Sequence, residues 1–106
     1  MVFIETSTFT KQLSSHLDDD SYALLQVFLA VHPDAGDVIR GTGGIRKIRW
    51  AMPGRGKRGG SRVIYYWLAE QDCIYLLTVY AKGVKDDLTV AEREAWRRAV
   101  EAIDND

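Results

Sequence analysis

The sequence predicts an α+β fold: an antiparallel β-sheet with an N-terminal helical hairpin on one face and a C-terminal helix. Three observations carry that expectation. Two apolar patterns at helical spacing stand near the start, runs dense in β-branched and aromatic residues fill the middle, and an amphipathic segment with a capping signal comes last. With 106 residues, 46% of them hydrophobic and 27% charged, the chain suits a single folded domain over 1–106 with one modest core.

The elements follow in order. VFIE at 2–5 is short and bulky, as a strand requires, and the TST after it offers hydroxyl caps for a helix carrying Phe9, Leu13 and Leu17 at i, i+4 and i+8. Asp18, Asp19 and Asp20 then suit the positive end of a second helix, whose Leu24, Leu25, Phe28 and Val31 form a stripe that His32 and Pro33 terminate. A weak strand can follow. IRKIRWA at 45–51 alternates, with Ile45, Lys47 and Arg49 on one face and Arg46, Ile48 and Trp50 on the other. RVIYYWLA at 62–69 and CIYLLTVY at 73–80 are joined by EQD, which marks a hairpin of central strands. Thr89 and Glu92 have capping-box spacing, and Trp96, Val100 and Ile103 recur behind them at helical intervals.

Composition removes several function classes. Lone Cys73 lies in an apolar run, so it forms no internal disulfide or metal-ligand cluster and reads as a core residue. No apolar run is long enough for a bilayer, and MVFIETSTF lacks the basic and long apolar regions of a secretory signal, so a cytoplasmic protein with no membrane partner is expected. No cofactor or metal is implied.

The net charge of −1 conceals strong segregation. Residues 1–39 carry −5 and residues 70–106 carry −4, whereas 40–69 carry +8 with no acid among them. Attraction of a polyanion depends on charges within a Debye length, about 8 Å in cellular salt, so the middle segment is the expected binding surface. Its densest part is GRGKRGGSR at 54–62, and seven of the nine glycines fall within 41–60. A plain solvated loop would also explain that run. It is no nucleotide P-loop, because Arg58 follows Lys57 where Ser or Thr is needed.

Lys47 and Arg49 share a side of their strand, and Arg62 opens the next, so three cations can converge on one face. Such crowding is relieved by a bound polyanion. Arg46, Arg55, Lys57 and Arg58 extend the candidate RNA-binding surface, and Tyr66, which shares parity with Arg62, is either a stacking ring or a core tyrosine. His16 and His32 lie in or beside the helical hairpin and are poorer candidates for acid–base work.

A GTGG turn before K-x-R, the glycine-rich basic loop, R-x-x-Y-Y, and LLT-x-Y-x-K entering an acidic turn together resemble the central portion of HigB-type toxins in the RelE/ParE superfamily. The element order agrees over nearly the whole chain, so a RelE-like fold is implied. The resemblance further implies a ribosome-dependent, metal-independent endoribonuclease that cuts messenger RNA in the ribosomal A site. Its implied partners are the 70S ribosome with its ribosomal RNA, the mRNA, and a cognate antitoxin of HigA-like, helix-turn-helix type; the free toxin is expected to be a monomer. Lys47 and Arg49 match the basic pair on the family's strand, Arg62 the arginine opening the next strand, and Lys82 falls near the basic position after the last strand; Tyr80, Tyr66 and Lys82 are the candidates for acid or base, Lys82 the favoured one, with Tyr80 positioning the nucleotide. Gly83 stands where RelE has an arginine, and no tyrosine near Thr89 matches its late catalytic one. Two other classes remain: a non-enzymatic gyrase poison of the ParE branch, and a ribosome- or RNA-binding module without cleavage.

Overall fold

The computed structural model describes residues 1–51, 60–83 and 87–104. The elements are β1 (Val2–Glu5), α1 (Ser7–His16), α2 (Asp19–Val31), β2 (Asp37–Val38), β3 (Arg46–Trp50), β4 (Ser61–Leu68), β5 (Cys73–Ala81) and α3 (Val90–Asp104), with a 3₁₀ turn at Ala69–Gln71. They form one five-stranded sheet in the order β1-β5-β4-β3-β2.

The sheet is mixed, where a wholly antiparallel one is expected from sequence. Strands β2 to β5 form an antiparallel meander, but β1 runs parallel to β5. Strands joined by short loops must reverse direction, whereas β1 is followed by two helices and escapes that constraint. The hairpin α1–α2 carries the chain across one face, so β1 and β2 end at opposite edges.

Side chains cap both helices of the hairpin. Thr6 Oγ1 accepts from the Phe9 N–H at 3.0 Å and donates to the Leu77 carbonyl at 2.7 Å, fixing the start of α1 on β5. Asp18 accepts from the Ser21 N–H at 2.7 Å, and Asp19 and Asp20 lie in the first turn of α2, where the helix dipole favours them. The stripe expected on α2 is rotated. Ser21, Leu25 and Leu29 are buried, while Leu24 and Val31 are 48% and 67% exposed. Small Ser21 allows that rotation: its carbonyl accepts from the indole N–H of Trp50 on β3 at 3.1 Å.

Two apolar clusters sandwich the sheet. On the hairpin side Phe9, Leu17, Leu25 and Leu29 pack on Val63, Tyr65, Ile74, Leu76 and Val79. On the other side Leu88 and Val100, with half-buried Trp96, pack on Ile45, Ile64, Tyr66, Leu77 and Tyr80. The terminal helix therefore covers the second face. Strand parity alone would put Tyr80 with Ile74 and Leu76. A register shift prevents this: Ile64 pairs with Thr78 and Tyr65 with Leu76, leaving Leu77 as an extra residue that turns Tyr80 to the α3 side.

The corner after α2 is tied to the sheet by polar contacts. Tyr65 Oη accepts from the Gly36 N–H and donates to the Pro33 carbonyl, both at 2.8 Å. A Cβ at Gly36 would lie 2.8 Å from that ring, which excludes a side chain there. At the start of β4, Gly60 has φ +65°, and a Cβ would come within 2.4 Å of the Trp50 carbonyl oxygen. Among the described residues no helix is long and apolar enough to cross a membrane.

Candidate nucleic-acid interface

The antiparallel register aligns the basic side chains. Arg49 on β3 stands opposite Arg62 on β4, and Arg62 stands opposite Tyr80 on β5, so one row crosses three strands. Lys47, two residues before Arg49 and opposite Ile64, shares that face and lies roughly 7 Å along the strand. Arg49 is exposed, and Lys47 and Arg62 are half-buried. Lys82 is exposed just beyond β5, and its N–H approaches the Gly60 carbonyl at 3.4 Å, at the end of the sheet where β4 begins. The structure thus brings Lys47, Arg49, Arg62 and Tyr80 to one face and sets Lys82 at its margin.

Other expected contacts fall elsewhere. Arg46 points to the opposite side, where its Nη1 donates to the carbonyls of Asp34 at 3.0 Å and Gly36 at 2.8 Å, so it braces the corner after α2. Tyr66 and Tyr80 face the right way but are only 9% and 5% exposed. Tyr66 offers no open ring for stacking, because α3 covers it and its hydroxyl donates to Asp104 at 2.7 Å. Arg55, Lys57 and Arg58 lie outside the described residues. His16 and His32 terminate the hairpin helices, and the His32 ring meets that of Phe28 at a tilt, with centroids 5.2 Å apart. Cys73 is buried, and that burial pushes its thiol pKa up.

Burial, followed by the hydrogen bond to Asp104, pushes the Tyr66 hydroxyl up from 10.0 to about 12. A raised folded-state value means that this contact stabilises fully below the unfolded value and is lost as pH rises through the folded one. The urea midpoint of wild type should therefore exceed that of Tyr66→Phe by a constant margin up to pH 10, and the margin should close by about pH 12. Paired urea titrations from pH 8 to 12 measure it.

One charged partner on this face escaped the sequence reading. Asp87, in the turn before α3, places Oδ1 3.5 Å from Lys47 Nζ. The turn is anchored by Leu88, 2% exposed in the second cluster, and followed by the reciprocal Thr89–Glu92 capping box at 2.9 and 3.1 Å. That capping signal fixes where α3 starts, so the position of the preceding aspartate could have been read from it.

Cations on a strand-backed face can do two things. They bind phosphodiesters by charge-assisted hydrogen bonds, and they stabilise negative charge that grows on phosphoryl oxygens during transfer. Across the sheet, Leu24, Val27, Val31, His32 and Trp50 line a largely apolar groove of about 430 Å³.

A family model described as the RelE toxin of the RelE/RelB toxin–antitoxin system matches residues 2–105. Solved structures share the fold at low identity. A double arginine-to-alanine mutant of the E. coli toxin RelE in the free state aligns with TM-score 0.58 at 18% identity, over 96% of each chain. The isolated E. coli RelE toxin aligns with TM-score 0.54 at 19% identity, over 92% of this chain and 97% of that one. The toxin–antitoxin complex RelBE of E. coli contains a chain aligning with TM-score 0.54 at 18% identity, over 76% of this chain and 94% of that one.

Proposed function

The chain belongs to the RelE family of toxins from toxin–antitoxin systems, and from that premise we propose that it is a ribosome-dependent endoribonuclease of the HigB type. The observation that carries this reading is the row of Arg49, Arg62 and Tyr80 across three adjacent strands with Lys47 beside it. A gyrase poison has no need of such a row.

In the proposed reaction the ribose 2′-oxygen attacks the adjacent phosphorus, the 5′-oxygen leaves, and charge builds on the nonbridging oxygens. Arg62 and Arg49 hold those oxygens, since guanidinium forks bind phosphate in a fixed geometry. Lys47 supplies a third positive charge, and exposed Lys82 moves a proton to or from the reacting oxygens without a metal. Tyr80, only 5% exposed, positions the nucleotide indirectly, as the packed end of the row that carries Arg62 and Arg49. Arg55, Lys57 and Arg58 add phosphate contacts along the RNA and ribosomal RNA. Arg46 is left out, because its guanidinium is spent on the carbonyls of Asp34 and Gly36. The antitoxin is of HigA-like, helix-turn-helix type, and the unbound toxin acts as a cytoplasmic monomer.

The test is to induce the protein in cells and to map messenger RNA 5′ ends and gyrase-linked DNA breaks in the same culture. New ends within translated codons are expected, and they should vanish when translation initiation is blocked. DNA breaks with intact messages would identify a gyrase poison, and stalled translation on whole messages a binding module.

A further inference from the structure

We propose that the Asp87 carboxylate is an internal stand-in for a substrate phosphate: it holds Lys47 in the free protein and is displaced when RNA binds. This rests on the reading of Lys47 as a phosphate contact. Carboxylate and phosphate oxygens present the same acceptor to an ammonium group, so the two compete for one cation.

The geometry suits an exchange of partners. At 3.5 Å, with 27% of the Lys47 side chain and 45% of the Asp87 side chain exposed, the contact is a solvent-accessible ion pair of the kind that separates at little cost. The carboxylate is nonetheless presented at a defined place. Asp87 Oδ1 accepts from the Leu88 N–H at 3.0 Å, Leu88 is sunk into the apolar cluster under α3, and the capping box fixes the next turn. Arg49 and Arg62 stand directly opposite each other on the same face as Lys47, so a phosphodiester chain that takes Lys47 from Asp87 has two guanidinium groups beside it. A phosphodiester that takes Lys47 must displace or lie beside that carboxylate. The Asp87 charge therefore lowers affinity for RNA and confines tight binding to ligands with enough phosphates to pay for its removal.

Asp87→Asn removes the charge and keeps a side-chain oxygen for the Leu88 N–H, so the turn should persist, as an unchanged urea midpoint would confirm. Binding is read by fluorescence anisotropy with a labelled ten-nucleotide single-stranded RNA carrying 2′-fluoro groups, which cannot be cut, at 50 and 200 mM salt. Asp87→Asn should bind up to about fivefold more tightly than wild type at 50 mM, with a smaller gain at 200 mM. Lys47→Ala should bind more weakly, and adding Asp87→Asn to it should restore nothing. Equal tightening in the Lys47→Ala background would mean general loss of negative charge and would overturn the proposal. So would Asp87→Asn binding no better than wild type while Lys47→Ala binds worse. Lys47→Ala that binds as wild type would instead overturn the phosphate reading of Lys47, and this proposal with it.

Discussion

Alanine at Lys47 or at Arg62 is expected to lower cleavage of mRNA on programmed ribosomes by roughly two to three orders of magnitude while leaving the fold intact. That range is typical for removing one donor that stabilises charge developing in a transition state. Neither side chain belongs to either apolar cluster, so its truncation removes no member of the packing on either face of the sheet. Arg62 lies between Arg49 and Tyr80 in the row, and its loss should fall mainly on kcat. Arg62→Lys should recover only part of the activity, because an ammonium keeps the charge and loses the planar fork. Single-turnover cleavage and urea midpoints of the purified variants measure the two quantities separately. Full activity in both alanine variants would refute the assignment of this face as the catalytic one.

The largest expected effect on stability lies at Tyr65. Its side chain is fully buried in the hairpin-side cluster, and its hydroxyl joins the Gly36 N–H to the Pro33 carbonyl. Tyr65→Ala should cost about 3–5 kcal/mol through lost burial and the cavity left behind. Tyr65→Phe keeps the ring and orphans two backbone groups, which should cost about 1–3 kcal/mol. Arg46 binds the Gly36 carbonyl from the same corner, so losses at Tyr65 and Arg46 should be non-additive. Urea unfolding of the two single variants, Arg46→Ala and the double variant gives every term. A Tyr65→Phe protein as stable as wild type would show that the hydroxyl does not hold the corner.

Local signals carried much of this structure. Alternation in IRKIRW placed Lys47 and Arg49 together and opposite Arg46, and the observed register adds Arg62 to the same face. Capping residues located α1 and α2 because their hydrogen bonds reach only three residues along the chain. What escaped depends on contacts distant in sequence. The rotation of α2 is set by Trp50 on Ser21, the parallel pairing of β1 by its edge beside β5, and the side taken by Tyr80 by an extra residue in β5 that alternation cannot reveal. The sequence likewise left Tyr66 open between stacking ring and core tyrosine, and only the placement of α3 over it favours the core.

The parallel pairing of β1 with β5 also affects how the molecule comes into being. Val2 to Glu5 are made before their partners Cys73 to Leu76 and wait for them, and the row of Arg49, Arg62 and Tyr80 is incomplete until Tyr80, farther along β5, has also left the peptide exit tunnel. A nascent chain halted before that point lacks the assembled face. A toxin of this family with this strand order therefore presents its basic row only after β5 has been made.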